Sequence, residues 1–118
     1  MPNILIIEDD KITAEGISSI LDNEGYQVDI AQNGKIAFDR LKDKSYNIII
    51  TDLMMPEMDG IQFINRLRMA DNETPVIVVT AYGNIENMLA AFELGAVEIM
   101  EKPFDIEEFI HLVNELTK

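Results

Sequence analysis

Short runs of apolar residues alternate along the chain with segments whose apolar residues recur every three or four positions. The apolar runs occupy residues 4–7, 27–31, 48–51, 76–80 and 97–100. Three of these runs are continuous and rich in isoleucine and valine, which is typical of parallel strands covered on both faces. We therefore predict five β-strands at these positions.

The segments that follow the runs have the spacing of amphipathic helices. Their apolar stripes are Ile12, Ile17, Ile20 and Leu21; Ile36, Ala37 and Leu41; Ile61, Ile64 and Leu67; Ile85, Met88, Leu89 and Phe92; and Ile106, Phe109, Ile110 and Val113. Gly25 and Gly95 are placed to end the first and fourth helices, and Asp105 with Glu108 signals the start of the last. We expect Met88 and Leu89 to pack in the core and not against a partner.

Five strand–helix units in alternation predict an α/β fold with helices on both faces of an open parallel sheet. Right-handed crossovers limit the possible topologies. We expect a flavodoxin-like, doubly wound (βα)5 three-layer sandwich with the strand order 2-1-3-4-5. The 118 residues show no repeat or linker, so we predict a single domain over residues 1–118.

The charge of the chain restricts its partners. Its formal net charge is −13, from 22 acidic residues against nine Lys and Arg. Such a surface repels phosphates, so we expect no direct nucleic acid binding, and it favours divalent cations and basic partner surfaces. There is no cysteine, which excludes disulfides and thiolate metal sites, and the N-terminal segment resembles neither a signal peptide nor a membrane span. We therefore expect a cytoplasmic location without membrane attachment.

Polar residues that could bind a metal ion or take part in catalysis lie at the ends of four of the five predicted strands. They are Glu8, Asp9, Asp52, Thr80 and Lys102. In a sheet of the predicted order, ligands bind outside the carboxyl ends of the strands, near the switch point between strands 1 and 3. A carboxylate such as that of Asp52, at the end of a buried strand, is costly unless it is paired, bound to metal or chemically used. The topology thus predicts one site that contains all five residues.

The residue types at this site indicate phosphoryl chemistry. Clustered carboxylates repel one another unless a cation lies between them, and oxygen ligands without His or Cys favour Mg²⁺, with Mn²⁺ as a substitute. Lys102 can neutralise phosphoryl oxygens and the Thr80 hydroxyl can donate to one. Asp52, which follows the central strand, can accept a phosphoryl group as an aspartyl phosphate.

Each feature alone also has a purely structural explanation. A strand-end aspartate such as Asp52 often only shapes a turn, and so does a Lys-Pro pair such as Lys102-Pro103. The acids at 8–10 could begin a helix, where negative charge suits the helix dipole. Their joint placement at four strand ends favours a common site.

The chain resembles, over its whole length, the receiver domains of two-component response regulators. The matching segments are residues 4–10, 52–60, 79–81, 95–96 and 102–104. Residues 80–83 and 102–106 are similar to receivers of the chemotaxis, sporulation-relay and nitrogen-regulator type.

The resemblance implies a role for each site residue. Asp52 is the phosphoacceptor for a sensor histidine kinase or a phosphotransfer protein. Mg²⁺ is held by Asp9, by Asp52, by the backbone carbonyl of Met54 and, through water, by Glu8. Thr80 and Lys102 hold phosphoryl oxygens, and the Lys102–Pro103 bond is expected to be cis. We assign Asp10 to helix capping.

The implied function is a switch more than a turnover enzyme. The domain catalyses its own phosphorylation and its own dephosphorylation by water, with help from Mg²⁺. Phosphorylation then reshapes the face formed by the fourth helix, fifth strand and fifth helix, which controls an output domain or protein. The resemblance makes a homodimer through this face plausible.

Four positions are expected to modulate the switch. Ile99 stands where the family usually has an aromatic residue, so we expect a weaker switch or one carried by backbone shifts and by Phe104 or Tyr82. Met54 and Tyr82 lie near the path of attacking water in the family, and our hypothesis is that they slow hydrolysis. Pro103 helps to place Lys102.

Three alternatives compete with this interpretation. An aspartate-nucleophile phosphatase of the haloacid dehalogenase kind needs Asp-x-Asp after the first strand, where this chain has Glu8-Asp9-Asp10. A flavodoxin-like flavin binder needs a phosphate loop rich in Ser, Thr and Gly at the same place. The third alternative is a pseudo-receiver that docks partners without phosphorylation; the complete set of site residues argues against it, although Ile99 leaves it open.

Overall fold

A computed structural model describes residues 2–55, 58–81 and 84–118, and in these segments five strands alternate with five helices. The strands are β1 (Asn3–Ile7), β2 (Gln27–Ala31), β3 (Ile48–Thr51), β4 (Val76–Thr80) and β5 (Ala96–Glu101). The helices are α1 (Lys11–Asn23), α2 (Gly34–Asp43), α3 (Gly60–Met69), α4 (Ile85–Glu93) and α5 (Ile106–Leu116). All five predicted strands are present, and none of the described helices is both long and apolar enough to cross a membrane.

The strands form one parallel sheet in the order β2-β1-β3-β4-β5, which confirms the predicted flavodoxin-like topology. The register brings the carboxyl ends of neighbouring strands to the same level. Ile7 of β1 pairs with Ala31 of β2 and with Thr51 of β3. The residues that follow these strands therefore emerge together at one edge of the sheet, at the switch point between β1 and β3.

Alternate strand residues build two separate cores, because successive side chains of a strand point to opposite faces of the sheet. One core contains Leu5, Ile7 and Ile49 together with residues of α2, α3 and α4. The other contains Ile4 and Ile6 together with residues of α1 and α5. Both faces of β1, β3 and β4 are thus covered, which explains why their sequences are continuous apolar runs.

Every described helix begins with a capping side chain. Asp10, Asn33, Asp59, Asn84 and Asp105 each accept a hydrogen bond from the backbone N–H three residues further on. This satisfies a donor that the first helical turn leaves without a partner. The N-cap roles predicted for Asp10 and Asp105 are therefore confirmed.

Two glycines end helices in the left-handed region of backbone conformation. Gly25 has φ 92° after α1 and Gly95 has φ 88° after α4. Side chains with a Cβ rarely adopt such values, so glycine is the natural residue at both turns. Both predicted helix ends are confirmed.

The prediction that Leu89 packs in the core is wrong, because Leu89 is 57% exposed on α4. Other members of the predicted apolar stripes are also exposed, namely Ile12, Ile36, Ile85, Phe92 and Ile106. Helix α4 packs beside β5, the edge strand of the sheet, and among its residues only Ala91 is buried. A helix at a sheet edge contacts the core along a narrow strip, so part of its apolar stripe remains at the surface.

Candidate functional site

The predicted site residues lie at the carboxyl edge of the sheet. Glu8 follows β1 and Asp52 follows β3, and the two residues are 4% and 9% exposed. Thr80 ends β4 and is fully buried. Lys102 follows β5, and its backbone N–H donates to the carbonyl of Thr80 (2.9 Å). Four neighbouring strand ends thus supply one polar cluster.

The Lys102 ammonium joins two of the carboxylates. Its Nζ donates to Glu8 Oε1 (2.6 Å) and to Asp52 Oδ2 (3.0 Å), and 21% of the side chain is exposed. The Lys102–Pro103 bond is cis, as predicted. Charge-assisted bonds of this kind are stronger than neutral ones, so the three side chains hold one another in place.

The second oxygen of each carboxylate is held by a backbone N–H. Asp52 Oδ1 accepts from Met54 N (3.1 Å), and Glu8 Oε2 accepts from Asp10 N (3.2 Å). Both carboxylates are therefore fixed at two points, one from Lys102 and one from the local main chain. This rigidity keeps their orientation without help from flexible surface groups.

Burial and neighbouring charge act on the pKa values of the cluster. Burial raises the pKa of Glu8, and the nearby Asp52 charge adds to the effect, while the hydrogen bonds from Lys102 and from Asp10 N–H oppose it. Burial alone would lower the pKa of Lys102, but its bonds to Glu8 and Asp52 raise it instead. Two carboxylates share a single ammonium, so the surplus negative charge favours a further cation at the site.

The loop after β3 is held by two contacts that the sequence alone does not indicate. The Thr51 hydroxyl donates to the carbonyl of Asp52 (2.9 Å), and Gly60 N donates to the carbonyl of Leu53 (2.9 Å). A Cβ on Gly60 would collide with the Asp52 carbonyl and would lie 2.8 Å from Leu53 Cα. A threonine at a strand end is common, so no signal in the sequence marks Thr51 as a support for Asp52.

Other predicted site residues stand apart from the Lys102 bridge. Asp9 is exposed beside Glu8, and the Met54 side chain is exposed on the loop after Asp52. Tyr82 lies outside the described residues. Within residues 2–55, 58–81 and 84–118, no three acidic or histidine side chains converge as a metal site.

The two residues considered for the switch pack on opposite faces of the sheet. Ile99 is partly buried against the core that contains α3 and α4. Phe104 is partly buried against the α1–α5 core, and its ring centroid lies 5.0 Å from that of Phe109. Neither side chain is fully exposed.

Known proteins resemble this chain in sequence and in structure. It is 37% identical over 118 residues to the transcriptional regulatory protein PcoR of Escherichia coli, covering 100% of this chain and 52% of PcoR. It is 38% identical over 110 residues to the response regulator ArlR of Staphylococcus epidermidis, covering 93% of this chain and 50% of ArlR. The chain spans about half the length of the curated relatives it matches.

Solved structures show the same architecture. The receiver domain of the Francisella response regulator 1452 superimposes with a TM-score of 0.91 at 35% identity, with both chains covered completely. The response regulator receiver protein of Pseudomonas putida gives 0.93 at 26% identity, covering 97% of this chain and 96% of that one. The family model for the response regulator receiver domain matches residues 4–114. This chain therefore belongs to the response regulator receiver domain family of two-component systems.

Proposed function

We propose that the chain is a phosphoacceptor domain that takes a phosphoryl group onto Asp52 from the phosphohistidine of a sensor histidine kinase or a phosphotransfer protein. The observation that carries this proposal is the placement of Asp52. Its carboxylate is 9% exposed at the carboxyl end of the central strand and accepts from Lys102 Nζ at 3.0 Å. A buried carboxylate beside a lysine is suited to attack phosphorus and to keep the product near a compensating charge.

The chain's own groups divide the work of the transfer. An Asp52 carboxylate oxygen forms the new P–O bond as the P–N bond to the imidazole breaks. Lys102 supplies positive charge next to this oxygen, and the Thr80 hydroxyl, one strand away, donates to a phosphoryl oxygen. Glu8 keeps Lys102 at the site through its 2.6 Å contact. The contribution of the protein is mainly position and charge, because phosphoryl transfer requires little covalent chemistry from the enzyme.

The donor set fits a hard divalent cation, and we propose that Glu8, Asp9, Asp52 and the Met54 carbonyl would hold Mg²⁺, or Mn²⁺ in its place. All of these ligands are oxygen atoms, which Mg²⁺ prefers. The surplus of carboxylates over the single Lys102 ammonium supports a cation at this place. Neutralising charge on the phosphoryl group is the chemistry that a bound Mg²⁺ would supply.

The proposed consequence is a change at the face formed by α4, β5 and α5. A phosphoryl group adds charge at Asp52, and Thr80, at the end of the neighbouring strand β4, is the residue that we propose responds to it. Ile99 is partly buried against the α4 side of the sheet, whereas Phe104 packs against α5 on the other side. An aromatic rotation at position 99 is therefore replaced, in our proposal, by backbone shifts of β5, and Pro103 keeps the Lys102 turn in register.

The relatives suggest where the signal goes. PcoR and CusR of Escherichia coli are both named transcriptional regulatory proteins, and each is about twice as long as this chain. We infer that the domain acts in the cytoplasm as the receiver of a regulator whose output domain or protein lies beyond these residues. It would act as a switch that phosphorylates and dephosphorylates itself, not as an enzyme with a separate substrate.

The test is intact mass after incubation with acetyl phosphate and MgCl₂. We expect the chain to gain one phosphoryl group, and we expect Asp52→Asn and an EDTA-treated sample to gain none. Asp59→Asn is the matched control, because Asp59 is an exposed cap of α3 on the same loop. A gain that persists in Asp52→Asn, or no gain in the wild type with either acetyl phosphate or a histidine kinase, would refute the proposal and favour a docking module.

A further inference from the structure

Basic side chains are concentrated on one helix of an otherwise acidic molecule. Residues 34–44, which form α2 and its C-cap, include four of the nine Lys and Arg residues but only two of the 22 acidic residues. The four are Lys35, Arg40, Lys42 and Lys44, and all of them are exposed. The surface of α2 is therefore opposite in sign to the net charge of −13 of the whole chain.

The helix dipole explains only part of this pattern. Arg40 and Lys42 lie in the last turn of α2, where a cation suits the negative end of the dipole. Lys35 lies in the first turn, where the dipole disfavours a cation. Within the described segments of the chain, Lys35 also forms no ion pair. Its charge is therefore available to a partner.

A groove with an apolar floor lies between α2 and α3. It has a volume of about 290 Å³ and is named here the α2–α3 groove; its lining consists of Phe38, Leu41, Lys42, Leu67, Ala70 and Asn72. The Phe38 ring packs on that of Phe63 in α3, with 4.9 Å between the ring centroids, and this contact holds one side of the floor in place. The floor thus offers contacts to apolar side chains of a partner.

Cations stand on both sides of the α2–α3 groove. Lys42 lines it directly, and Lys35 precedes Lys42 by about two turns on the same flank of α2. On α3, Arg66 is exposed and precedes the lining residue Ala70 by about one turn. Lys42 has an ion pair with Asp39 at 3.6 Å, but both side chains are mostly exposed, so the pair is weak and easily exchanged for another.

The basic surface is limited in extent. Beyond the groove, Asp71 and Glu73 line a neighbouring depression of about 400 Å³ together with Lys44 and Tyr46. The charges there are mixed, so they give no preference for an acidic partner. The surface that combines an apolar floor with cations therefore matches a short segment and not a long one.

The groove lies away from the phosphoacceptor. Ala70 is the C-cap of α3, and Lys42 lies in the last turn of α2. In parallel strand–helix units the helix returns the chain to the amino edge of the sheet, whereas Asp52 follows β3 at the carboxyl edge. A partner in the groove would therefore leave Asp52 accessible to a phosphoryl donor.

The charges distinguish between possible occupants. A symmetric dimer through the groove would place Lys35, Lys42 and Arg66 against the same residues of the other copy, and like charges placed together cost free energy. A nucleic acid would extend beyond the groove and meet the acidic remainder of the surface. A short acidic segment with apolar side chains complements both the cations and the floor.

We propose that the α2–α3 groove binds a short, acidic, amphipathic segment of a partner protein. The contact uses the surface of the unphosphorylated chain and none of the residues around Asp52. It can therefore fail while the phosphoacceptor function stands, and the phosphoacceptor function can fail while the contact stands.

The experiment measures binding of a short fluorescein-labelled peptide to the 118-residue chain by fluorescence anisotropy. In the peptide, Leu recurs every three or four positions and Glu fills the others, and a second peptide has Gln in place of Glu. At about 0.15 M NaCl the Debye length is about 8 Å, so the more distant acids of the chain are largely screened. We expect the Leu/Glu peptide to bind and the Leu/Gln peptide to bind at least about fivefold more weakly.

Matched charge variants locate the contact. Lys35→Gln with Lys42→Gln should weaken binding of the Leu/Glu peptide about fivefold, as expected when two exposed ion pairs are lost. Lys11→Gln with Lys118→Gln removes the same charge from exposed positions outside the groove and should change binding less than about twofold.

A second pair of variants adds charge instead of removing it. Ala70→Glu places a carboxylate in the groove and should weaken binding at least about fivefold. Met69→Glu adds the same charge at the preceding position of α3, which is 76% exposed and does not line the groove, and should change binding less than about twofold.

Four results would overturn the proposal. They are equal binding of the two peptides, equal losses within either pair of variants, no binding of the Leu/Glu peptide by a chain whose circular dichroism shows that it is folded, and concentration-dependent dimers in sedimentation that Lys35→Gln with Lys42→Gln dissociates. The last result would assign the groove to a second copy of this chain.

Discussion

Gly60 is the residue whose size matters most directly to the geometry of Asp52. Its backbone N–H donates to the carbonyl of Leu53, and a Cβ would meet the Asp52 carbonyl and the Leu53 Cα. Main-chain atoms cannot move aside as a flexible side chain can, so the loop itself must shift. The position requires glycine because of close approach and not because of an unusual φ.

We therefore predict that Gly60→Ala lowers the free energy of unfolding by about 2–3 kcal/mol and slows phosphoryl acceptance by Asp52. Gly16→Ala is the matched control. A Cβ there would meet nothing within 4 Å, and alanine inside α1 should add about 0.5–1 kcal/mol. Urea unfolding and the rate of phosphoryl gain are the measurements, and similar behaviour of the two variants would contradict the argument.

Glu8 gives the site a dependence on pH that can be measured without a phosphoryl donor. Burial raises the pKa of Glu8 in the folded chain above its pKa in the unfolded chain. The protonated side chain therefore stabilises the fold at a pH below the unfolded-chain pKa. This stabilisation is lost as pH rises through the folded-chain pKa. In EDTA, the wild type should therefore lose stability relative to Glu8→Gln as pH rises above about 4.3, the ordinary pKa of a glutamate.

Asp29 provides a control of opposite sign. Tyr46 and Lys44 donate to its Oδ2 at 2.6 Å and 3.0 Å, and these bonds, with that of Tyr46 the larger effect, lower the pKa of Asp29. The ionised Asp29 carboxylate stabilises the fold at a pH above its pKa in the unfolded chain, and this stabilisation is lost as pH falls through the lower pKa of the folded chain. The free energy of unfolding of the wild type should therefore increase relative to that of Asp29→Asn as pH rises. Urea unfolding at several pH values checks both slopes, and equal signs for the two variants would be inconsistent with the structure.

At the scale of elements, Arg68 connects the end of α3 to the turn between α4 and β5. Its guanidinium donates to the carbonyls of Leu94 (2.8 Å), Asn72 (2.9 Å) and Thr74 (2.9 Å), and more weakly to that of Gly95 (3.4 Å). Only the planar fork of arginine reaches several carbonyls at once. One side chain thus joins the loop between α3 and β4 to the turn between α4 and β5.

Replacing Arg68 with methionine should cost about 2–4 kcal/mol, because several partly buried carbonyls lose their donor. Arg66→Met removes the same charge from an exposed position on α3 and should cost less than about 0.5 kcal/mol. Urea unfolding of the two variants provides the comparison. If Arg66→Met costs as much as Arg68→Met, the carbonyl contacts contribute nothing measurable.

The elements also show how far the sequence could predict the structure. Strands β1, β3 and β4 are predictable because burial on both faces makes every residue apolar except one polar residue at an end of each strand. The strand order then brings Glu8, Asp52 and Lys102 to one edge without further information. The contacts of Arg68 and Thr51 are not predictable, since their acceptors are main-chain carbonyls, which every residue has.

Helix α4 shows a second limit of the sequence. Its apolar stripe is regular, but regular spacing cannot say how wide a strip the neighbouring elements cover. Beside edge strand β5 that strip is narrow, so Leu89 is 57% exposed although its sequence context is that of a core residue. Exposure at a sheet edge follows from the tertiary arrangement.

At the scale of the whole molecule, the net charge of −13 destabilises the compact state through self-repulsion, and any cation should relieve part of it. If Mg²⁺ binds at the proposed site, its effect would exceed this general screening, because it would bind the folded chain and not the unfolded one. The stabilisation then follows the ratio of free Mg²⁺ to its dissociation constant, and amounts to about 1.4 kcal/mol at a tenfold excess.

We predict that MgCl₂ raises the urea midpoint more than NaCl at matched ionic strength, and that Asp9→Asn removes the difference. Asp9 is the informative residue because it is exposed beside Glu8 and stands outside the bridge from Lys102 to Glu8 and Asp52. Asp22→Asn removes the same charge from exposed α1 and should keep the full effect of Mg²⁺. An equal response of the two variants to MgCl₂ would show that the cation acts only on the overall charge of the chain, and Asp9 would then have no part in a metal site.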